Sequence, residues 1–214
     1  MKIPRDWTFK TADIANGFDR HVREQLPWYD LTTGIVSHVA RHYIPHDGLV
    51  YDIGASTGNC GRAMAGTIKS RGAKLVAIDS QDSMRKLYSG PGEFIVADAI
   101  EFDFQPFDFA VCFLSVMFMP VSKRGKFLAD LRGKIKPGGA LLVFDKCAPV
   151  QGYPASIMSR LALAGKIAAK VEAREILAKE MSLAGIQRPL VPDETKGGIE
   201  IFRFGDFAGW IFEP

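Results

Sequence analysis

The sequence predicts an α/β fold, built on a doubly wound, mostly parallel sheet of seven strands. Short apolar runs alternate with helical patterns through residues 49–144, and strands that alternate with helices form parallel sheets covered on both faces. Two more apolar runs, residues 199–204 and 207–211, are separated by a Gly-Asp pair. They predict a C-terminal antiparallel hairpin at one edge of the sheet.

Composition and charge bound the class of protein. The chain has 214 residues, 47% hydrophobic and 24% charged, so we expect residues 1–214 to form one globular domain. No apolar run reaches the ~18 residues of a membrane span, and no signal-peptide core is apparent. Cys60, Cys112 and Cys147 are widely spaced in apolar surroundings. They suit free thiols in a reducing compartment, so a cytoplasmic protein is expected.

Two helical patterns, separated by Pro27, precede the first strand. The second ends at the breaker cluster Pro45-His46-Asp47-Gly48. Its apolar positions, close to a period of 3.6, are Leu31, Ile35, Val39 and Tyr43. Three histidines lie four residues apart in this region: His38, His42 and His46. Because Pro45 interrupts the helix and no metalloprotease motif surrounds them, we expect structural or solvated histidines and no metal site.

A glycine loop follows the first strand. The run Leu49-Val50-Tyr51-Asp52-Ile53 predicts that strand, Gly54-Ala55-Ser56-Thr57-Gly58 the loop, and residues 60–70 a helix. Glycines would let the backbone turn and approach a ligand, and the helix would direct unpaired N–H groups at it. Ser56 stands where the second glycine of G-x-G-x-x-G belongs, so the loop alone signals a nucleotide-type cofactor only weakly.

The later strands are predicted to bring candidate ligand-binding residues to one edge of the sheet. Strands are predicted over residues 74–78, from 94 to 97, from 107 onward and from 140 to 144. Ligands of such sheets bind outside the carboxyl ends of the strands. The residues expected to converge there are Gly54, Asp79, Asp98 and Phe113.

Helices and turns connect these strands. A short helix is predicted over residues 82–88, and Pro137-Gly138-Gly139 is expected to turn the chain into strand five. The basic cluster Lys123-Arg124-Gly125-Lys126 alternates with apolar residues. It predicts an amphipathic helix over residues 122–135 with Ser122 as N-cap. Its basic face is expected to be solvated, with RNA contact as the alternative.

An Ala-rich helical stretch spans residues 155–184 and includes a glycine, Gly165. We expect the helix to break near that glycine, because glycine is a poor helix former. The part between Leu161 and Leu183 could pair with a second copy of the chain, so a homodimer is an open possibility.

Together these motifs resemble the class I S-adenosylmethionine-dependent methyltransferases. Val50-Tyr51-Asp52-Ile53-Gly54-Ala55-Ser56-Thr57-Gly58 resembles their first motif, and Lys136-Pro137-Gly138-Gly139-Ala140-Leu141 resembles the turn before strand five. Leu75-Val76-Ala77-Ile78-Asp79 resembles the second motif, whose acid holds the ribose hydroxyls. Val96-Ala97-Asp98-Ala99 resembles the third, whose acid reaches the adenine amine. The resemblance implies a Rossmann-like fold, S-adenosyl-L-methionine (SAM) as cofactor, and methyl transfer to a small-molecule or RNA acceptor.

A closer similarity is to the carboxy-S-adenosylmethionine synthase group within that class. Phe18-Asp19-Arg20-His21-Val22 and Pro27-Trp28-Tyr29 resemble its N-terminal helices, which implies a helical lid over residues 1–45. The group's strand-four asparagine falls opposite Phe113, and Arg160 or Arg174 matches its carboxylate-binding arginine only loosely. Methyl transfer is therefore the first hypothesis and carboxy-cofactor synthesis the alternative. A non-catalytic SAM- or RNA-binding module is the rival from another class.

Each candidate site residue has a functional and a structural interpretation. Asp79 lies about 20 residues beyond the loop, the spacing of a ribose-binding acid, or it caps a helix. Asp98 accepts from the adenine amine or braces a turn. Asp52 meets the methionine ammonium or braces the loop. Tyr29, beside Trp28, covers the cofactor or belongs to the core. Phe113 and Met117 would face the transferring methyl group or belong to the core.

The residues expected to bind the cofactor are Tyr29, Asp52, Gly54, Ala55, Ser56, Gly58, Asp79, Ser80, Asp98, Ala99 and Phe113. No constellation of residues compels a catalytic base, which is needed only for a protonated acceptor. The titratable groups available for that task are His21, Asp145 and Lys146.

Overall fold

The computed structural model describes residue 19, residues 21–148 and residues 151–214. The strands there are β1 (Leu49–Ile53), β2 (Lys74–Asp79), β3 (Glu93–Val96), β4 (Phe107–Phe113), β5 (Ile135–Lys146), β6 (Ile199–Phe204) and β7 (Phe207–Phe212). The helices are α1 (Tyr29–Tyr43), α2 (Asn59–Arg71), α3 (Asp82–Arg85), α4 (Val121–Arg132), α5 (Tyr153–Ala168), α6 (Ala173–Ser182) and α7 (Pro192–Thr195). Residues 21–25 are also helical, and Val116–Phe118 form a 3-10 turn.

The strands form one sheet in the order β3-β2-β1-β4-β5-β7-β6. Strands β1 to β5 pair in parallel, and β7 pairs antiparallel with both β5 and β6. This confirms the predicted α/β, Rossmann-like doubly wound sheet with its C-terminal hairpin. Strand β1 lies between β2 and β4, so the strand order reverses there, and ligands of such sheets bind at that point.

Apart from Asp108 near its start, strand β4 is apolar because both faces of the sheet are covered. Phe109 and Val111 face one buried cluster with α1 and α2. Ala110 and Cys112 face the other, which includes residues of α4. All four side chains are fully buried. A strand buried on both faces reads as a continuous apolar run rather than an alternating one.

One predicted turn and the predicted end of one helix were wrong. Strand β5 begins at Ile135, so Pro137-Gly138-Gly139 lies within the strand. Gly138 has a φ of +79°, and the register of β5 against β4 shifts between Phe107 and Phe109. The predicted turn is therefore a bulge in the strand. Helix α3 also ends at Arg85 rather than at residue 88.

The basic helix α4 differs from its prediction. It runs from Val121 to Arg132 with Pro120 at the N-cap and no side-chain capping bond, so Ser122 is not the cap. The Arg124 side chain is only 1% exposed and pairs with Glu194 at 2.5 Å. One member of the predicted solvated face is thus a buried ion pair, which links α4 to α7.

The buried face of α1 is displaced from the predicted one. Its buried residues are Tyr29, Thr32, Val36 and Ala40, whereas Leu31 is 63% exposed. Small residues on this face allow close packing on α2, where Ser37 Oγ donates to the Ala63 carbonyl at 2.8 Å. Apolar spacing alone did not identify Thr32 as a core residue.

The Ala-rich stretch forms two helices, α5 and α6, as predicted. The break follows Ala168 instead of Gly165, and Lys170 has a φ of +61° in the connection. Of the predicted N-terminal lid, residues 1–18 and residue 20 lie outside the described part of the chain. No helix in the described part is both long and apolar enough to cross a membrane.

Candidate cofactor site

A cavity of about 840 Å³ lies at the carboxyl ends of β1 to β4. This volume is within the range of ~300–1,000 Å³ typical of small-molecule sites. Ten of the eleven predicted cofactor-binding residues line it, and Gly58 does not. We call the part lined by the glycine loop and the exits of β1 to β4 the strand end of the cavity. The part lined by α5 and α6 is the helix end.

The glycine loop is fixed by backbone hydrogen bonds to β2. The N–H groups of Gly54 and Ala55 donate to the Ile78 carbonyl at 2.8 and 3.0 Å. Gly54 has a φ of +78°, and a Cβ there would lie 2.4 Å from the Ser115 Cβ. Only glycine therefore fits this position without strain or displacement of Ser115.

Gly58 acts outside the cavity. It has a φ of +90° and precedes α2 as its N-cap. A Cβ there would lie 2.7 Å from the Gly90 nitrogen and 2.8 Å from the Tyr88 ring. The structure thus assigns Gly58 to the turn and to the close approach of residues 88–90.

Asp79 presents its carboxylate to the strand end of the cavity. Ser56 N–H donates to Asp79 Oδ2 at 2.8 Å, and Gln81 N–H donates to Oδ1 at 2.9 Å. Because each carboxylate oxygen has two lone pairs, each keeps one for a ligand donor. The residues present therefore fit the vicinal ribose hydroxyls of SAM. Burial raises the pKa of Asp79, and these two backbone donors oppose the rise.

Asp98 and Asp52 make the hydrogen bonds expected from their structural interpretations. Asp98 is exposed, and its Oδ1 accepts from Ile100 N–H at 2.9 Å, the bond of a bracing turn aspartate. Asp52 is 2% exposed and accepts from Gly61 N–H at 3.0 Å, which braces the start of α2. Burial chiefly, with the nearby Asp79 charge, raises the pKa of Asp52 to about 7. Both carboxyls also line the cavity.

An aromatic wall separates the cavity from the core. Tyr29 and Phe113 are 4% and 8% exposed and meet edge-to-face with ring centroids 5.4 Å apart. Trp28 packs on Phe207 at 4.8 Å between ring centroids. Tyr29, Trp28 and Phe113 are buried as core residues are, and all three line the cavity.

The sequence interpretation missed most of the helix end. Its lining side chains are largely apolar, and they include Ala155, Met158, Ala162, Leu163, Ile176, Leu177 and Leu183. Met117 and Met119 complete this wall from the segment after β4. Only the alternation of small and large apolar residues on α5 and α6 could have indicated it, and that pattern is equally typical of a helix pair in a core.

The cations of the cavity are lysines. Within the described residues its lining contains Lys146, Lys166 and Lys179 and no arginine. Lys146 pairs with Asp206 at 3.3 Å, and Lys166 with Glu180 at 3.2 Å. Burial chiefly lowers the pKa of Lys179 to about 6. The two loosely matched arginines, Arg160 and Arg174, are exposed and do not line the cavity.

Asp145 positions the segment after β4. Its Oδ2 accepts from the N–H groups of Val116 at 2.7 Å and Met117 at 3.2 Å. Burial raises the pKa of Asp145 to about 7, against the effect of its backbone donors. The side chain is 1% exposed and does not line the cavity, so its visible role is to hold the 3-10 turn.

The sequence matches a family model described as a methyltransferase domain over residues 50–139. Carboxy-S-adenosyl-L-methionine synthase of Staphylococcus epidermidis is 27% identical, over 97% of this chain and 93% of that protein. The enzyme of that name from Pseudomonas fluorescens Pf0-1 is 22% identical, over 96% and 88%.

Solved structures of low sequence identity share the fold. Human N-acetylserotonin methyltransferase in complex with SAM superposes with a TM-score of 0.59 at 11% identity. That match covers 94% of this chain but only 56% of the human chain, so the chain spans little more than half of it. A TehB-like SAM-dependent methyltransferase from Corynebacterium glutamicum gives a TM-score of 0.53 at 13% identity, over 94% and 98%. The methyltransferase-domain match over residues 50–139, the strand order and the cavity at β1 support a SAM-dependent methyltransferase of class I, with SAM as its cofactor.

Proposed function

We propose that the protein transfers a methyl group from SAM to a small, largely apolar molecule bound at the helix end of the cavity. One observation carries the proposal. The cavity that contains Asp79 and Asp98 continues beneath α5 and α6, where its lining becomes mostly apolar. A cofactor at the strand end would therefore leave an apolar chamber beside it.

The strand end supplies positions for the cofactor. Asp79 would accept from the ribose hydroxyls and Asp98 from the adenine amine, since each lies at the exit of its strand and lines the cavity. Gly54, Ala55 and Ser56 would lie beneath the cofactor. All of these proposed contacts are made by residues of the predicted cofactor-binding set, and Gly58 is not among them.

The helix end would align the acceptor and exclude water. SAM carries an electrophilic sulfonium methyl group when bound, so the protein chiefly has to orient the acceptor and keep the site dry. Phe113 ends β4, Met117 follows it, and both line the cavity; acceptor and cofactor would meet beside them. The Asp145 bonds to the 3-10 turn would hold Met117 in place.

An RNA acceptor is disfavoured by the placement of the basic helix. None of the described cavity-lining residues belongs to α4, and its Arg124 is buried against Glu194. RNA recognition usually requires an exposed basic surface beside the site.

Carboxy-cofactor synthesis is the second candidate, because the two relatives above share that name at 27% and 22% identity. Against it, Phe113 occupies the position of the group's asparagine, and no arginine lines the cavity among the described residues to match the group's carboxylate-binding one. A mass spectrum of cofactor that co-purifies with the protein distinguishes the two. Plain SAM or its demethylated product supports methyl transfer, and a carboxylated adduct supports the synthase.

The acceptor proposal is tested with SAM that carries a trideuteriomethyl group and with fractionated small molecules and RNA from cells. The wild type is compared with Ala162→Trp, which fills the helix end. The matched control is Ala164→Trp, because Ala164 is exposed and does not line the cavity.

Label in the small-molecule fraction supports the proposal if Ala162→Trp loses it about 100-fold, or 2.7 kcal/mol, while Ala164→Trp retains it. Both variants should bind S-adenosylhomocysteine (SAH) like the wild type in calorimetry. Label in RNA, or label insensitive to Ala162→Trp, contradicts the proposal.

A further inference from the structure

Gln25 is a buried polar side chain that faces the cavity. It is 6% exposed and lines the cavity near the N-terminal end of α1. Its amide nitrogen and oxygen make no hydrogen bond to any residue that the structure describes. A buried amide without partners costs free energy, and native proteins rarely retain one unless a ligand or water satisfies it.

The segment that carries Gln25 is fastened to the glycine loop. Thr57 Oγ1 donates to Asp19 Oδ1 at 2.5 Å, and Arg23 Nη2 donates to Asn59 Oδ1 at 3.3 Å. These contacts hold Asp19 and residues 21–25 against the loop between β1 and α2. Gln25 therefore faces the cavity from a segment attached beside the cofactor position.

The direction of the cofactor follows from the strand order, and here the argument rests on the proposed function. The sheet order is β3-β2-β1-β4, with Asp98 after β3, Asp79 after β2 and Gly54 after β1. Adenine at Asp98 and ribose at Asp79 direct the rest of the molecule past Gly54. The amino-acid end then lies on the side of β1 that residues 21–29 cover.

The chemistry of an amide matches that end. The α-amino-acid group of SAM has a carboxylate that accepts hydrogen bonds and an ammonium that donates them. A glutamine amide offers NH₂ donors and a carbonyl acceptor on one planar group. The arginines that contact the glycine loop and the start of α2 are already engaged in ion pairs, Arg62 with Asp19 at 2.9 Å and Arg23 with Asp30 at 2.8 Å. We propose that Gln25 binds the amino-acid end of the cofactor through its side-chain amide.

The proposal is tested by comparing two ligands that differ only at that end. SAH has the amino-acid group, whereas 5′-methylthioadenosine has the same adenosine and sulfur but lacks it. Calorimetry measures both on the wild type, on Gln25→Leu and on Gln105→Leu. Gln105 is exposed and does not line the cavity, so it controls for the substitution itself.

We expect Gln25→Leu to weaken SAH binding about tenfold, which is 1.4 kcal/mol, and to leave 5′-methylthioadenosine within twofold of the wild type. Gln105→Leu should change neither ligand. Equal weakening of both ligands would mean a structural role, and no change in either would mean that Gln25 serves another ligand. Both results overturn the proposal. Because neither assay contains an acceptor, failure of the acceptor proposal leaves this result unaffected.

Discussion

The two ends of the cavity are built differently. At the strand end, carboxyl groups and loop residues are held by backbone N–H donors, as Asp79 is by Ser56 and Gln81. At the helix end, the walls are side chains of α5 and α6. Helix α5 has no buried residue, and α6 has two. Backbone bonds fix positions more strictly than apolar side chains on exposed helices do.

This difference matches the two tasks of a methyltransferase. The cofactor is invariant, so its site gains from a rigid frame set by the sheet. The acceptor varies among enzymes that share this fold, and its site lies on elements that can change without disturbing the sheet. We therefore expect changes at the strand end to affect stability and cofactor binding together.

The largest effect is expected from Asp52, whose ionisation makes the stability of the folded protein depend on pH. Its pKa is near 4 in an unfolded chain, and burial raises the pKa of Asp52 to about 7 in the folded protein. Between these values the folded protein retains a proton that the unfolded chain has released, so stability falls as pH rises. At about 1.4 kcal/mol per pH unit, the loss between pH 4 and pH 7 is roughly 4 kcal/mol.

Asp52→Asn removes this ionisation and keeps an oxygen for Gly61. Urea unfolding at pH 5 and pH 8 should show the wild type losing about 3 kcal/mol more than the variant. Asp103→Asn, at an exposed position, serves as the control and should follow the wild type. Identical pH dependence in all three proteins would rule out a strongly perturbed Asp52.

Two glycine substitutions compare the loop of the cofactor site with an open position on α2. Gly54→Ala places a Cβ 2.4 Å from the Ser115 Cβ at a φ of +78°, and we expect a loss of about 3 kcal/mol in stability. SAH affinity should fall with it. Gly66→Ala in α2, where nothing lies within 4 Å of an added Cβ, should instead gain up to about 1 kcal/mol. Similar unfolding free energies for the two variants would contradict the role of Gly54.

The smallest effect is expected at Asp19, which attaches the segment before α1 to the glycine loop and α2. Asp19 pairs with Arg62 at 2.9 Å, and the two side chains are 37% and 34% exposed, so Asp19→Ala should cost under about 1 kcal/mol in stability. Because the pair fastens the segment over the loop, SAH should dissociate about threefold faster in stopped-flow measurements, with Asp103→Ala as the control. An unchanged dissociation rate would show that this attachment does not retain the ligand.

Much of the fold and of the strand end could be predicted because both depend on local patterns. Apolar runs that end in Asp79 or Asp98 specify buried strands and their exits, and parallel strands bring those exits to one edge. The sequence could not show that Gly58 supports residues 88–90 instead of lining the cavity. That contact joins segments about 30 residues apart and leaves no local pattern.

Other residues were harder to predict for the same reason. Gln25 lies in a short helical segment with no motif, and its unpaired amide is visible only in three dimensions. Arg124 looked like a solvated residue because Glu194, its partner, is 70 residues away. That residues 1–214 form a single domain stays a prediction.

The central claim is that the adenosyl part of SAM binds at the exits of β1 to β3, and SAH calorimetry on Asp79→Asn tests it most directly. Asparagine retains one acceptor oxygen and loses the charge, so we expect SAH to bind about 100-fold more weakly. Asp103→Asn should bind it like the wild type, and both variants should keep the wild-type melting temperature within a few degrees. A folded Asp79→Asn variant that binds SAH within twofold of the wild type would contradict the claim.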